Sequence, residues 1–312
     1  MKPKNILVTG GAGFIGTSLC SVLLELGYHV TVLDNLTTGS KSQISKHLDK
    51  KNFTFINGNV VDFKINRKFD VIFNLACPAS PISYQKDPLE TIKTSILGSL
   101  NVLSAADFFN SKILQASTSE IYGDPLISPQ HENYWGNVNP IGLRSCYDEG
   151  KRASETLFVD SCRQKGTDVR IARIFNTYGP GMNPFDGRVI SNFIVRALQG
   201  KPIEIYGTGS QIRSFCFIDD LIDGLIKLVD KIGYHFPVNL GNPDPVSILN
   251  LAQEILELTN SNSIIHFLPP VQDDPVTRIP DVSRASTDLN WTPLVSRREG
   301  LLKTISYFDK II

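Results

Sequence analysis

The sequence predicts an α/β fold built on a doubly wound parallel sheet, with a smaller C-terminal substrate-binding lobe. Three observations predict it: short β-branched runs that alternate with amphipathic stretches, a glycine-rich turn directly after the first run, and a change of texture beyond Thr177. In the first half, Ile6 to Thr9, Val30 to Leu33, Phe53 to Asn57, Val71 to Leu75 and Ile113 to Ala116 read as buried parallel strands, since they are apolar on both alternating faces. Phe14 to Leu26 and Leu89 to Phe109 are long enough for crossover helices and are patterned near the helical period. A further helix from Tyr147 to Arg163 leads into Val169 to Ile174, a sixth strand. Beyond Thr177 the chain turns to loops such as Gly179-Pro180-Gly181 and Gly207-Thr208-Gly209, with helices near Ser191 to Leu198, Asp219 to Val229 and Ile248 to Leu258. The expected division is a sheet domain over residues 1–176 and a lobe over 177–312, with some segments interleaved.

Composition narrows the function classes. The chain has 312 residues, with 31 Lys+Arg against 31 Asp+Glu, so no excess positive charge is available for a polyanion and nucleic acid is not expected as a partner. With 41% hydrophobic and 20% charged residues it has the makeup of an ordinary globular protein. No secretory signal is read at the N-terminus and no apolar run is long enough for a membrane span. The scattered Cys20, Cys77, Cys146, Cys162 and Cys216 fit reduced thiols in the cytoplasm, and neither they nor the isolated histidines form a metal site.

The first strand ends in Thr9-Gly10-Gly11-Ala12-Gly13-Phe14-Ile15-Gly16, in which both G-x-x-G-x-x-G and G-x-G-x-x-G can be read, with a helix following at once. Glycines there permit a tight turn, close approach of a pyrophosphate and helix-on-strand packing, while the helix N-terminus offers unpaired N–H groups to phosphate. This is the dinucleotide-binding arrangement of a Rossmann-type fold. The second strand runs to Asp34, placed to accept both ribose hydroxyls of adenosine and to repel a 2′-phosphate, so NAD rather than NADP is expected.

Two further segments carry chemistry. Tyr147-Asp148-Glu149-Gly150-Lys151 sets a phenol and an ammonium four residues apart on one helix face. Lowering a phenol by about three pH units takes about 4 kcal/mol, which Lys151 and a positive nicotinamide can supply. Ser117-Thr118-Ser119-Glu120-Ile121-Tyr122-Gly123 gathers hydroxyls and a carboxylate at the carboxyl end of the fifth strand, where ligands of open α/β sheets bind.

The combination of TGGAGFIG, Asp34, STSEIYG and YDEGK resembles the extended short-chain dehydrogenase/reductase family, which acts on nucleotide sugars. Longer blocks are similar to the UDP-glucuronate decarboxylases (UDP-xylose synthases) of that family: Ala76 to Pro81, Ser117 to Pro125, Tyr134 to Arg152, Arg173 to Pro180, Asp186 to Ile194 and Gln272 to Asp281. The resemblance implies Tyr147 as base at the sugar C4 hydroxyl, Lys151 holding it ionised, and Thr118 sharing the hydrogen bond. It implies Glu120 and Arg278 around the glucuronate carboxylate and C5. For NAD it implies Gly10, Gly13, Phe14, Ile15, Gly16, Asp34, Asn35, Leu36, Thr38, Gly39, Asn59, Val60, Leu75, Ala76 and Thr177, besides Tyr147 and Lys151. For the substrate it implies Ser80, Tyr84, Asn176, Arg188, Asn192, Tyr206, Gln211 and Arg213.

The activity so implied is oxidation at C4, loss of carbon dioxide from the resulting β-keto acid, and re-reduction, with NAD regenerated and no metal required. Where related 4,6-dehydratases carry an Asp-Glu pair this chain has Ser119-Glu120, which removes the acid that would expel a C6 hydroxyl. A UDP-glucuronate 4-epimerase, or a non-catalytic NAD and nucleotide-sugar binder, are the alternatives. Departures from the family pattern are Asn59 in place of an acid, Cys77 in place of a frequent Ser, and Ser40 in place of a basic residue. The family also implies a homodimer through the helices Leu89 to Phe109 and Tyr147 to Arg163.

Overall fold

Alternating side chains of the first apolar run settle where the core lies. In β1 (Asn5–Thr9), Ile6 and Val8 join the apolar cluster on one face of the sheet and Leu7 the cluster on the other, so both faces are covered. The computed structural model describes residues 4–270 and 275–312; Gln272, Asp273 and Asp274 of the last resembling block lie outside them. After β1 come α1 (Phe14–Glu25), β2 (His29–Asp34), α2 (Lys41–Ile44), β3 (Phe53–Asn57) and β4 (Val71–Asn74). Then follow α3 (Pro81–Lys86), α4 (Pro88–Lys93), α5 (Ser99–Phe109), β5 (Lys112–Thr118), α6 (Ser145–Lys165) and β6 (Val169–Ile174). The remainder supplies β7 (Thr177–Tyr178), α7 (Val189–Leu198), β8 (Ile203–Tyr206), β9 (Ile212–Ser214), β10 (Cys216–Phe217), α8 (Ile218–Asp230) and β11 (Pro237–Leu240). It ends with β12 (Pro245–Ser247), α9 (Ile248–Thr259), β13 (Ile265–Leu268), β14 (Thr277–Arg278), α10 (Ser283–Leu289) and α11 (Arg297–Phe308).

The central sheet has seven parallel strands in the order β11-β6-β5-β4-β1-β2-β3. Strand order therefore reverses between β1 and β4, and the crevice at their carboxyl ends is where such sheets take ligands. The seventh strand was not expected: β11 is a four-residue run beginning with Pro237, too short to stand out by pattern, and it is admitted because an edge strand tolerates proline. Through β11 the chain beyond Thr177 returns to the first domain's sheet. The rest of it builds a lobe from a parallel β8–β13 pair and a three-stranded β12-β9-β14 sheet, packed with α7, α9 and α11.

The predicted single helix Leu89 to Phe109 is interrupted. A π-helical turn over Thr94–Gly98 separates α4 from α5. Small side chains bring it close to α6: Ser154 Oγ donates to Ser95 O at 2.6 Å, and a Cβ on Gly150 would lie 3.0 Å from Ser95 Cβ. Helix α6 ends where Gly166 adopts a left-handed φ of +73°. The face it buries carries Tyr147, Lys151, Ser154 and Phe158, a helical spacing that aims the first two at the carboxyl end of β5.

Candidate active site

The glycine-rich turn is shaped by contacts that exclude side chains. Gly10 has φ +70°, and a Cβ there would lie 2.8 Å from Ala76 N; one on Gly16 would run into Gly10 O and, at 2.7 Å, Gly11 Cα. A Cβ on Gly13 would meet only Gly10 O, at 3.4 Å, so this side of the turn is open. Gly13 precedes Phe14 and Ile15 at the start of α1 and provides no side-chain cap, leaving the first N–H groups of the helix for an anion. Asp34 closes the end of β2: Oδ2 accepts Ala12 N at 2.9 Å and Oδ1 accepts Leu36 N at 2.8 Å. Each oxygen keeps a second lone pair for a hydroxyl. Burial raises the Asp34 carboxyl from its usual value while these two N–H donors lower it. Asn35 Oδ1 accepts Thr37 N, Leu36 sits at φ +61°, and Thr38-Gly39 lead back to the turn, where Ser40 N donates to Ala12 O at 3.2 Å.

On the other side of the crevice, Leu75 N and Ala76 N donate to Thr9 O and Oγ1. Asn59 is held by two hydrogen bonds, Oδ1 accepting Val61 N and Nδ2 donating to Glu90 Oε1 at 3.0 Å, and the Val60 side chain is buried in the core. Thr177 Oγ1 donates to Phe175 O.

Tyr147 lies buried at the first turn of α6, stacked on Tyr84 with ring centroids 5.1 Å apart and planes 4° from parallel. Lys151 Nζ donates to Ala116 O at 2.7 Å and sits 5.7 Å from the centroid of the Tyr147 ring. Burial, then Cys77 and Glu120, push the Tyr147 phenol well above its usual range, while its hydrogen bond with Thr118 and the charge of Arg188 pull it down. Lowering it enough to serve as a base therefore requires further positive charge. Thr118 ends β5, and its Oγ1 also accepts Glu120 N at 3.2 Å.

Glu120 is clasped by two guanidinium groups. Arg144 NH2 pairs with Oε2, and Arg278 NH1 meets Oε1 at 3.2 Å. Burial opposes its ionisation, yet Arg278 and Arg144 hold its carboxyl down to about 2. Arg144 carries no role in the sequence reading; it stands within the block Tyr134 to Arg152, but nothing in its spacing relates it to Glu120. Asp148, also unassigned there, hydrogen-bonds to Glu120.

The expected substrate residues occupy several elements. Ser80 directly precedes α3, its hydroxyl donating to Ser83 Oγ at 2.9 Å, and Tyr84 within α3 has a buried hydroxyl with no partner among the described residues. Asn176 O accepts Cys216 N, tying the segment after β6 to β10. Arg188 precedes α7 with Nε 3.4 Å from Asp186 Oδ2, and Asn192 is exposed within α7. Gln211 Nε2 donates to the carbonyl of half-exposed Tyr206, while Oε1 of Gln211 is buried without a partner among the described residues. Arg213 on β9 is the register partner of Arg278 on β14, so the lobe presents two guanidinium groups side by side. Among the described residues the Nε of Arg278 is buried with no partner, a donor available to an acid. Among the described residues no group of three or more His, Cys, Asp or Glu could hold a metal, and no helix is long and apolar enough to cross a membrane.

This geometry can be set beside known proteins. The sequence profile of the NAD dependent epimerase/dehydratase family matches residues 6–241. The chain belongs to that family. The relatives it resembles include UDP-glucuronic acid decarboxylase 1 of Danio rerio, 49% identical over 307 residues, 98% of this chain and 73% of the relative. UDP-glucuronic acid decarboxylase 3 of Arabidopsis thaliana is 50% identical over 95% of this chain and 86% of the relative. Among solved structures, the UDP-glucuronic acid 4-epimerase of Bacillus cereus, in complex with UDP-glucuronic acid and NAD, superposes with a TM-score of 0.88 at 29% identity, covering 98% of this chain and 99% of that one. That structure shares the fold described above.

Proposed function

We propose that this protein is an NAD-dependent UDP-glucuronate decarboxylase that forms UDP-xylose. The observation that carries the reading is the meeting, at the end of β5, of the Tyr147–Thr118–Lys151 group with Glu120 and its two arginines, in a chain 49–50% identical to decarboxylases. The glycine turn and Asp34 fit NAD: the open side of Gly13 leaves room for a pyrophosphate, and Asp34 retains acceptors for the ribose. When bound, NAD takes a hydride from sugar C4 and returns it, and its positive ring favours the phenolate of Tyr147.

The residues then divide the work. Tyr147 takes the C4 hydroxyl proton while Lys151, anchored on Ala116 O, fixes its surroundings. A C4 ketone makes the C6 carboxylate a β-keto acid, so the electron pair left by departing carbon dioxide flows into an enolate. Tyr147 and Thr118 stabilise that oxygen as hydrogen-bond donors. Arg278, with its unpartnered Nε, receives the C6 carboxylate. Arg213, Asn176, Arg188, Asn192, Tyr206 and Gln211 hold the uridine diphosphate, with Ser80 and Tyr84 lining the sugar.

The reading extends to a homodimer in a reducing, cytoplasmic compartment. Exposed Leu89, Leu97, Leu100 and Phe108 on the α4–α5 side support the first, and five free cysteines support the second. Proton NMR of the protein with UDP-glucuronate and substoichiometric NAD tests the activity. UDP-xylose with carbon dioxide and no accumulated NADH is expected, and Tyr147→Phe should lose turnover by orders of magnitude. UDP-galacturonate without carbon dioxide would make it an epimerase instead.

A further inference from the structure

The decarboxylation consumes one proton at C5, and the cluster around Glu120 contains a carboxyl with no other assigned work. Asp148 follows Tyr147 on α6 and is buried, 7% exposed. One of its oxygens, Oδ1, is buried and meets no donor among the described residues. Its carboxyl is in hydrogen-bond contact with Glu120. An ionised carboxylate only accepts, so two carboxyls can share a hydrogen bond only if one holds a proton. Glu120 is paired to both Arg144 and Arg278, which favours its ionised form. The proton therefore belongs to Asp148.

We propose that Asp148 is a positioning residue that keeps, against Glu120, the proton Glu120 delivers to C5 of the sugar. The inference rests on the decarboxylase reading. When the substrate carboxylate engages Arg278, Glu120 loses part of the cationic field that keeps it ionised, and the shared proton shifts from Asp148 towards it. Carbon dioxide leaves as the C5–C6 bond breaks, its electron pair entering the enolate. The C5–H bond then forms from that pair and the proton on Glu120, leaving Asp148 and Glu120 both ionised until Asp148 regains a proton from solvent. One proton is taken up for each carbon dioxide released, with the redox change at C4 closed separately.

The groups facing Asp148 are Glu120 after β5, Arg144 ahead of α6, Cys146 on α6, Tyr84 on α3 and Arg278 on β14. Burial raises Tyr84 and Cys146, and guanidinium groups stay charged. Burial and the Glu120 charge raise Asp148 to about 8, the member of this set placed to lose its proton on the alkaline side of neutrality.

The test is the pH dependence of carbon dioxide release from saturating UDP-glucuronate with NAD present, for the unaltered protein, Asp148→Asn and Asp148→Glu. The unaltered protein should show kcat falling on the alkaline side of neutrality. Asp148→Asn should keep KM within about threefold, lower kcat by about 10²-fold, as expected for lost acid–base assistance, and lose the alkaline limb. Asp148→Glu should recover part of kcat together with the limb. A flat alkaline profile in the unaltered protein, an Asp148→Asn variant with unchanged kcat, or one that retains the limb would each overturn the proposal while leaving the decarboxylase reading intact. The profile of the unaltered protein decides even if Asp148→Asn fails to fold. An unaltered protein that releases no carbon dioxide overturns the decarboxylase reading, and this proposal with it.

Discussion

Glu155→Gln should destabilise the protein and loosen the active site together. Glu155 on α6 takes Arg173 of β6 in a two-pronged pair, from Nε to Oε1 at 3.0 Å and from NH2 to Oε2 at 2.7 Å, with side-chain exposures of only 13% and 10%. Its Oε1 also accepts Ser117 Oγ at 2.5 Å, directly before Thr118. Arg173 in turn donates to the Tyr122 hydroxyl and to Glu132 O, and Tyr122 passes a hydrogen bond to Asn239 on β11. The amide keeps an acceptor but removes the charge, leaving a buried guanidinium uncompensated. Removing one partner of such a pair costs about 3–5 kcal/mol, out of about 5–15 kcal/mol for a whole domain. At about 2–4 °C per kcal/mol the melting temperature should fall by about 6–20 °C. Urea and thermal unfolding of the two proteins measure this, and kcat should fall as well, because small displacements of Thr118 are costly to catalysis. A stability loss below about 1 kcal/mol, the range of exposed pairs, would refute the reasoning.

Gly16→Ala should weaken NAD binding by about tenfold or more and cost about 1–3 kcal/mol of stability, since its Cβ would strike backbone of the turn instead of a side chain that can move. Calorimetric titration with NAD and a thermal melt check both, and an unchanged affinity would count against the cradle. Phe108→Glu with Leu100→Glu should convert the proposed dimer to monomer in sedimentation, because both side chains are exposed on α5; an unaltered protein that sediments as monomer would remove the proposal.

Much of the fold was legible because its signals are local. Buried parallel strands are apolar on both faces, so β1, β2, β4 and β5 stand out as runs, and the glycine turn has to follow the first of them directly; β3, expected to be buried, is an edge strand in which only Phe53 is buried, and β6 buries Arg170 and Arg173 among its apolar residues. β11 was not legible, since four residues beginning with proline become a strand only through pairing with β6. Nor was the break between α4 and α5: the apolar spacing runs on through it, and the π-helical turn depends on how closely Ser95 and Gly98 approach α6 and Val60.

For the site, the sequence by itself determined the chemical inventory: the glycines and Asp34 for a dinucleotide, the Tyr147–Lys151 spacing on a helix, and Thr118 and Glu120 at a strand end. Helical and strand periodicity place such residues relative to their near neighbours, which is why these assignments need no tertiary information. Only the tertiary structure decided what surrounds Glu120. Arg144, Asp148 and Arg278 reach it from a loop, a helix and a strand of the lobe, separated from it by 24 to 158 positions. Charges so far apart in the chain interact only once folding brings them within a few ångströms and removes the water that would screen them, so the charge state of this cluster is a property of the fold.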